Sequence, residues 1–316
     1  MDVIVLAGGF GTRLRPWTES IPKPLLPILD KTMIEHVVGI IPESQVNRIL
    51  IAAGYGVEKM RDHFSRVKLP YEVEIIEETE PLGTGGAIVN CREYLSGGTF
   101  CVINSDLITS LRVEEMLEFH RSNGGIGTIS LWGVEDPSRF GVADYREENG
   151  KIMRFQEKPP IEEAFSNLIN AGAYILEPEI FSLMPDGAHS IERDVYEDLA
   201  ATGGLNGFPF EGWFVDAGTP RSFVEASQVC ISAGGFSSGS VDRGSWFGDG
   251  STNKGEVFSS TIGFGACIEE GSVVRDSVVL EGAEIGPNCN IEGCLIGMRA
   301  RVPEGSDLSS KIVDHG

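Results

Sequence analysis

The sequence predicts an α/β domain built on a mainly parallel sheet, followed by a short left-handed parallel β-helix. Short apolar segments alternate with helix-like segments up to about residue 125, which is the pattern of βαβ units. From Ile126 onward the chain is richer in strand-like segments, and beyond residue 255 aliphatic residues recur every six positions. The chain has 316 residues, of which 41% are hydrophobic, enough for one large core and a smaller module.

Strands and helices are predicted in turn along the first part of the chain. Apolar runs bounded by glycine or polar residues predict strands at Val3–Leu6, Ile49–Ala53, Val73–Ile76 and Phe100–Ile103. Helices are predicted between and after them at Thr32–Ile41, Val57–Phe64, Gly85–Tyr94 and Val113–Arg121. In a Rossmann-like sheet of this kind, ligands bind beyond the carboxyl ends of the strands. Gly8 and Asp106 both follow predicted strands, so we expect them at one edge of the sheet.

The middle of the chain carries a hairpin signal and a helix start. Asn149-Gly150 separates two strand-like segments, Gly141–Tyr145 and Lys151–Phe155, and this dipeptide favours a tight turn. Thr219-Pro220 is typical of an N-cap followed by proline at the first helical position. A helix is therefore predicted from there to about Ile231.

The C-terminal segment shows a six-residue repeat. Small residues and glycines separate the repeated aliphatic positions, which are Ile262, Ile268, Val274, Val279, Ile285, Ile291, Ile296, Val302 and Leu308. Such hexapeptides each form one face of a left-handed β-helix, here of fewer than three coils. We assign residues 1–233 to the first domain, the Gly- and Ser-rich residues 234–255 to a linker, and residues 256–316 to the β-helix.

A glycine-rich loop follows the first predicted strand. Residues 6–13 read Leu-Ala-Gly-Gly-Phe-Gly-Thr-Arg, and Pro22-Lys23-Pro24 follows shortly after. Glycines allow backbone N–H groups to approach anionic oxygens, and Arg13 and Lys23 add two positive charges, as a polyphosphate requires. The loop matches neither a Walker loop nor a dinucleotide-binding fingerprint.

This loop resembles the signature of the sugar-1-phosphate nucleotidyltransferases, the nucleotide-sugar pyrophosphorylases. Four later segments resemble further motifs of that family in the same order: Asn104-Ser105-Asp106, Glu157-Lys158-Pro159, Asn170-Ala171-Gly172 and Trp213–Pro220. Two positions depart from the family pattern, because Ser105 replaces the usual glycine and Phe140 stands where tyrosine is frequent. The resemblance covers most of the chain and implies a nucleotidyltransferase domain at residues 1–233.

The resemblance implies attack by a sugar-1-phosphate oxygen on the α-phosphorus of a nucleoside triphosphate, without a protein nucleophile. Arg13, Lys23 and Asp106 are the implied catalytic residues. Nucleotide binding is implied for Leu6, Ala7, Gly8, Gly9, Gly11, Thr12, Arg13, Lys23, Glu78, Gly83 and Thr84. Binding of the sugar phosphate is implied for Gly141, Glu157, Lys158, Asn170 and Asp216. Asp106 and Asp216 are the implied ligands of Mg²⁺.

Glu78 favours GTP as the nucleotide. Relatives that use UTP or dTTP tend to carry glutamine five residues before the position of Gly83, where this chain has Glu78. Two carboxylate oxygens can accept the adjacent N1–H and 2-amino donors of guanine. The alternative interpretation of Glu78 is a charged strand end in an acidic stretch.

We therefore expect an enzyme like mannose-1-phosphate guanylyltransferase, which makes GDP-mannose. One alternative is a glucose-1-phosphate thymidylyl- or uridylyltransferase. Another is a catalytically silent regulatory subunit, which is disfavoured because Arg13, Lys23, Asp106 and Asp216 are all present. An additional acyltransferase activity is rejected, since His315 is the only histidine after Ser190 that could act as a base.

Composition limits the partners of the chain. A net charge of −22 argues against a nucleic acid. Neither a membrane-spanning run nor a signal sequence is present, which favours a cytoplasmic enzyme, and the six scattered cysteines lack the spacing of a metal site. Because the short β-helix has open ends, we expect a homodimer or higher homo-oligomer that forms through it.

Overall fold

The computed structural model describes all 316 residues, and the chain folds into two compact units that interleave along the sequence. The first, which we call the sheet unit, comprises residues 1–9, 37–105 and 109–214. The second, which we call the β-helix unit, comprises residues 10–36, 106–108 and 215–316. The predicted fold class, an α/β domain with a C-terminal left-handed β-helix, is confirmed.

The sheet unit contains one nine-stranded mixed sheet. Its strands are β1 (Val3–Leu6), β2 (Arg48–Ala53), β3 (Glu72–Glu77), β4 (Phe100–Asn104), β5 (Gly127–Gly133), β6 (Gly141–Arg146), β7 (Lys151–Glu157), β8 (Leu168–Leu176) and β9 (Leu205–Pro209). Their spatial order is β3-β2-β1-β4-β8-β5-β9-β7-β6. The four strands predicted in the first part of the chain are all present and run parallel, whereas β8 is antiparallel to both of its neighbours. The predicted hairpin is formed by β6 and β7.

Each of the five predicted helices is present, and two short helices of four and five residues were not predicted from the sequence. The helices are α1 (Trp17–Ser20), α2 (Met33–Gly39), α3 (Val57–Arg66), α4 (Gly83–Asn90), α5 (Val113–Asn123), α6 (Glu197–Ala201) and α7 (Pro220–Ser232). The N-cap of α7 is Thr219, whose hydroxyl accepts the N–H of Ser222, as the sequence predicts. The predicted helix after residue 85 is shorter than expected, since α4 ends at Asn90 and a separate 3₁₀ turn follows. None of these helices has the length and apolarity that crossing a bilayer requires.

The carboxyl ends of β1, β2 and β4 lie in register. Leu6 is paired with Ala52 on one side and with Asn104 on the other, and the N–H of Ser105 donates to the carbonyl of Leu6 at 3.1 Å. The glycine-rich loop and the segment after β4 therefore leave the sheet at the same edge. This is the edge at which ligands bind in open parallel sheets.

The β-helix consists of three columns of stacked parallel strands. The first column contains Ser245–Phe247, Thr261–Ile262, Val278–Val279, Leu295–Ile296 and Ile312–Val313; the second contains Thr252–Asn253, Cys267–Ile268, Glu284–Ile285 and Arg301–Val302; the third contains Glu256–Phe258, Val273–Arg275, Asn290–Glu292 and Asp307–Ser309. A further strand, Ser240–Asp242, pairs antiparallel to the first strand of the first column. The repeated aliphatic residues, all but Leu308, are buried in the interior. Thr261 pairs with Val278 and Val278 with Leu295, so each coil takes two hexapeptides and one pentapeptide.

The β-helix has more coils than the expected number of fewer than three, because the second and third columns each hold four strands. Its first coil occupies residues 245–258 and therefore lies mostly within residues 234–255, the segment whose composition suggests a linker. At the positions of the repeat, this coil has Phe247, Asn253 and Val257, which pair with Ile262, Ile268 and Val274 of the next coil. Only one of the three is aliphatic, so the repeat is not visible there. The domain boundaries drawn from the sequence stay a prediction.

Buried polar side chains form a ladder along one corner of the β-helix. The N–H of Ser277 donates to Ser260 Oγ at 3.0 Å, and the N–H of Cys294 donates to Ser277 Oγ at 3.0 Å. The N–H of Lys311 continues the ladder by donating to Cys294 Sγ at 3.4 Å. Each side chain thus satisfies a backbone N–H of the next coil, which a buried corner requires.

We expect Ser277→Ala to destabilise the protein by about 1–3 kcal/mol, because it leaves the buried N–H of Cys294 without an acceptor. The matched control is Ser277→Cys, since a thiol already fills this role at Cys294. Chemical denaturation followed by circular dichroism measures both variants. If Ser277→Ala unfolds at the wild-type denaturant concentration, the ladder does not contribute to stability.

Candidate functional site

Four charged side chains of the β-helix unit gather around Gly218. We call Arg13, Lys23, Asp106 and Asp216 the charge cluster. Lys23 Nζ forms an ion pair with Asp106 Oδ2. A side-chain carbon placed on Gly218 would lie 2.7 Å from Arg13 Nη2, 2.7 Å from Asp216 Oδ1 and 3.1 Å from Lys23 Nζ. The structure therefore brings the three residues predicted to be catalytic together with the second predicted metal ligand.

The members of the charge cluster lie in short segments whose backbone conformation is defined by 3₁₀ turns and a backbone hydrogen bond. Arg13 lies in the 3₁₀ turn Thr12–Leu14, which Gly11 precedes in a left-handed conformation with φ of 61°. Lys23 opens a second 3₁₀ turn between two prolines, and its side chain is only 9% exposed. The segments of the two aspartates are joined directly, because the N–H of Ala217 donates to the carbonyl of Asp106 at 3.0 Å.

The loop that carries Arg13 and Lys23 is anchored by Trp17. Trp17 is fully buried, and its ring meets Phe223 of α7 edge-on at a centroid distance of 5.8 Å. Its Nε1 donates to the carbonyl of Val313 at 2.8 Å, and His315 stacks on the ring at 5.7 Å. The surrounding apolar cluster includes Leu14, Leu26, Ile28, Met33, Val215, Trp246, Val278 and Leu295. The signature loop thus shares one core with α7 and the β-helix.

The charge cluster fits a hard divalent cation that is bound together with substrate. Asp106 and Asp216 supply only oxygen donors, and no set of three or more acidic, histidine or cysteine side chains in the chain is arranged to hold a metal. A cation here would complete its coordination shell from phosphate oxygens and water, which is how Mg²⁺ is commonly held. Two cationic and two anionic side chains balance each other, so the cluster would attract a polyphosphate more strongly with a bound cation.

Glu78 directly follows β3 in the sheet unit and lies against Gly8. A side-chain carbon on Gly8 would be 2.8 Å from Glu78 Oε1 and 3.1 Å from Oε2. Glu78 is 7% exposed, and its buried Oε1 has no hydrogen-bond partner. Burial raises the pKa of Glu78, and the N–H of Leu82 partly opposes this shift. Glu78 is therefore a buried acceptor that has spare capacity for donors of a ligand.

The other predicted nucleotide-binding residues differ in how freely they can meet a ligand. Leu6 ends β1, and Ala7 donates its N–H to the carbonyl of Ala52 at 2.8 Å. Gly9 is exposed, and a side-chain carbon placed on it would meet no other atom within 4 Å. Thr84 is engaged within the protein, since its hydroxyl donates to Glu192 Oε2 at 2.5 Å and accepts the N–H of Ile191. Gly83, just before it, adopts a left-handed conformation with φ of 70°.

Four of the five residues predicted to bind the sugar phosphate lie in the sheet unit, where they form two groups. Glu157 on β7 pairs with Gly141 on β6 in the ladder, and its carboxylate forms an ion pair with Lys158 Nζ at 2.8 Å. Lys158 is 62% exposed and adopts a left-handed φ of 48° just after β7. Asn170 on β8 is in a different hydrogen-bonded group, because its Nδ2 donates to Tyr174 Oη at 3.0 Å. Asp216, the fifth residue of this prediction, lies in the charge cluster.

Three residues close to these groups were not singled out from the sequence. Gly218 lies within a motif that resembles the family, but only the structure shows that the charged groups crowd against it. Tyr174 follows Asn170 by four residues on β8, which is not a recognisable spacing. Glu192 is 108 residues from Thr84 in the chain, so no local pattern links the two.

Comparison with known proteins gives the same assignment for both parts of the chain. Residues 2–232 match the family model described as Nucleotidyl transferase, and residues 225–312 match a model described as the GlmU-like C-terminal hexapeptide. Mannose-1-phosphate guanylyltransferase 1 of Arabidopsis thaliana is 32% identical, with 99% of this chain and 90% of that protein aligned. The mannose-1-phosphate guanylyltransferase catalytic subunit beta of Dictyostelium discoideum is 38% identical over 74% of this chain, which spans 65% of that protein's length.

A solved structure also resembles the chain. HddC from Yersinia pseudotuberculosis, crystallised in complex with GMP-PN, superimposes with a TM-score of 0.61 and is 31% identical. The superposition covers 72% of this chain and 98% of that protein. The likeness therefore concerns the larger part of the chain and leaves the rest without a counterpart in HddC.

Proposed function

The chain belongs to the nucleotidyl transferase family, and we propose that it transfers the guanylyl group of GTP to mannose-1-phosphate, giving GDP-mannose and pyrophosphate. The observation that carries the choice of base is the buried Glu78 carboxylate with an unused acceptor beside Gly8. Guanine offers two adjacent donors to such a carboxylate, whereas uracil and thymine offer an acceptor beside a single donor. Relatives named mannose-1-phosphate guanylyltransferase and a relative crystallised with GMP-PN support the same choice.

In this proposal the charge cluster carries the reaction. A phosphate oxygen of mannose-1-phosphate attacks the α-phosphorus of GTP, and the bond from that phosphorus to the pyrophosphate oxygen breaks. Arg13 binds the departing phosphates, and Lys23, held in place by Asp106, stabilises charge on the α-phosphate. No side chain needs to form a covalent intermediate, so positioning and charge compensation account for catalysis.

We propose Mg²⁺ as the cofactor, with Asp106 and Asp216 as its protein ligands. When bound, Mg²⁺ would compensate the negative charge of the triphosphate. The two carboxylates and the small number of protein donors suit a cation that keeps water and substrate oxygens in its shell. A regulatory subunit without activity is the less favoured alternative, because Arg13 and Lys23 are also in place in the cluster.

The sugar phosphate is assigned to the β6–β7 hairpin and β8. Lys158 would bind the phosphate, since its exposed ammonium is available beside Glu157. Glu157 is largely buried and would accept hydrogen bonds from sugar hydroxyls. Gly141 pairs with Glu157 in the ladder, and its lack of a side chain allows the Glu157 carboxylate to lie against it, while Asn170 would contribute its amide. Glucose-1-phosphate, which differs from mannose-1-phosphate only at C2, is the competing substrate to include in any assay.

Replacing Asp106 by asparagine should lower turnover by at least about 10²-fold, because a neutral amide is a poor ligand for Mg²⁺ and no longer pairs with Lys23. Pyrophosphate release from GTP and mannose-1-phosphate at saturating Mg²⁺ measures the loss. Asp242→Asn, an exposed carboxylate of the β-helix unit, is the control and should retain activity. Near-normal turnover in Asp106→Asn would remove Asp106 from the site.

Glu78→Gln should lower kcat/KM for GTP by roughly 10- to 200-fold, because the amide N–H₂ meets a guanine donor. The value for UTP should change far less, so the GTP/UTP ratio is the quantity to measure. The control is Glu80→Gln, since Glu80 is exposed two residues further on. An unchanged ratio in Glu78→Gln would show that Glu78 does not recognise the base.

The same proposal gives a pH dependence with a definite sign. Burial raises the pKa of Glu78, and only the ionised carboxylate accepts both guanine donors. The GTP/UTP ratio of kcat/KM should therefore fall as the pH is lowered from about 8 to about 5 in the wild type. In Glu78→Gln the ratio should not depend on pH over that range.

We further propose that the β-helix mediates self-association. Leu308 and Val313 in its last turns are only partly buried, and Val241 near its other end is 46% exposed. Light scattering at micromolar concentration should give a homodimer or a larger assembly. Leu308→Asp or Val241→Asp should dissociate it, according to which end forms the contact, and a monomeric wild type would contradict the proposal.

A further inference from the structure

A buried chain of hydrogen bonds in the sheet unit connects Thr84 to Asn170. Thr84 Oγ1 donates to Glu192 Oε2 at 2.5 Å, and Tyr174 Oη donates to Glu192 Oε1 at 3.1 Å. Asn170 Nδ2 in turn donates to Tyr174 Oη at 3.0 Å. The two oxygens of one carboxylate are thus each fixed to a different substrate-binding segment, the start of α4 and strand β8.

The carboxylate at the centre of this chain is well satisfied and shielded from water. Glu192 is 8% exposed and also accepts a hydrogen bond from Ser190 Oγ at 2.7 Å. Tyr174 is fully buried, and burial together with the nearby Glu192 raises its pKa well above the usual value. The tyrosine hydroxyl therefore keeps its proton and acts as donor to Glu192 and acceptor from Asn170. Hydrogen bonds of this kind strengthen one another in a low-dielectric interior.

The segment around Glu192 also holds the start of α4 through its backbone. The carbonyl of His189 accepts the N–H of Gly85 at 3.0 Å, and the N–H of His189 donates to the carbonyl of Leu82 at 2.9 Å. A side-chain carbon on Gly83 would lie 2.5 Å from that His189 carbonyl oxygen, and one on Gly85 would lie 2.2 Å from the His189 ring. The glycines of this loop are therefore packed against a distant segment, which fixes where the loop lies.

We propose that Glu192 is a positioning residue that couples the nucleotide-binding loop at Gly83 and Thr84 to the sugar-binding side chain of Asn170. The roles of the two ends rest on the proposed function. Glu192 contacts neither substrate in this proposal but sets the position of both segments through Thr84 and Tyr174. It lies at the start of a π-helical turn, Glu192–Tyr196, and such turns are frequent near functional sites.

Hydrogen exchange in the ligand-free protein tests the coupling without reference to activity. Tyr174→Phe keeps the ring and removes only the hydroxyl that joins Glu192 to Asn170. We expect it to speed exchange of the Gly85 and Gly86 amides about fivefold or more, since a net hydrogen bond of about 1 kcal/mol is lost. Tyr196→Phe is the matched control, because Tyr196 is equally buried, lies 5.3 Å from Tyr174 and makes no hydrogen bond through its hydroxyl.

Steady-state kinetics with GTP and mannose-1-phosphate tests the consequence for the two substrates. Tyr174→Phe should raise the KM for GTP, and Thr84→Val should raise the KM for mannose-1-phosphate, each at least about fivefold. The double variant should show less than the product of the single effects. Tyr196→Phe should leave both KM values unchanged, whereas a merely structural defect would lower the melting temperature and the active fraction without changing either KM.

The outcomes separate this inference from the proposed function. Unchanged exchange at Gly85 and Gly86 in Tyr174→Phe overturns the coupling, whether or not the protein turns over GTP. Faster exchange with no turnover by the wild type upholds the coupling and contradicts the proposed function. If each substitution alters the KM of only the nearer substrate, Glu192 is a local support and does not couple the two segments.

Discussion

The burial of Trp17 is the interaction on which the charge cluster depends. The segment between Phe10 and His36 consists mainly of single-turn helices and two-residue strands, so its position is determined by what it packs against. Trp17 fills a pocket between α7 and the β-helix and is fixed in orientation by its hydrogen bond to Val313. Arg13 and Lys23 flank Trp17 in the sequence, so its burial helps to fix the position of the segment that carries both charges. Packing against the β-helix therefore helps to position the charge cluster.

Electrostatics of the site contrast with those of the whole chain. The protein carries a net charge of −22, which opposes the approach of a triphosphate. Within the charge cluster, Arg13 and Lys23 balance Asp106 and Asp216, so a bound divalent cation would make the cluster locally positive. Glu78 has a different role in the sheet unit, because its burial against Gly8 makes an unpaired carboxylate oxygen costly. A ligand that supplies donors to this oxygen relieves that cost, which gives a physical basis for base selection.

Several polar side chains with a proposed role in binding are positioned by hydrogen bonds to residues that are distant in the sequence. The side chain of Thr84 donates a hydrogen bond to Glu192, and that of Asn170 donates one to Tyr174, which in turn donates to Glu192. Neither Thr84 nor Asn170 is therefore positioned by its own strand or helix alone. In the β-helix, buried serines and a cysteine support the backbone of the following coil in a similar way. In both places a buried polar group joins segments that hydrophobic packing alone would leave free to shift.

The sequence by itself determined the fold class, the order of strands and helices in the first part, the hexapeptide repeat and the residue types of the site. Aliphatic periodicity and the Thr219 cap are local features, because each depends only on residues that are close together in the sequence. The gathering of Arg13, Lys23, Asp106 and Asp216 around Gly218 needed the structure, since these residues come from separate segments. The first β-helix coil was hidden because Phe247 and Asn253 stand where later coils have Ile262 and Ile268. Glu192 was invisible for the same general reason: its partners are chosen by tertiary packing across a separation of 108 residues, and no spacing rule acts over such a distance.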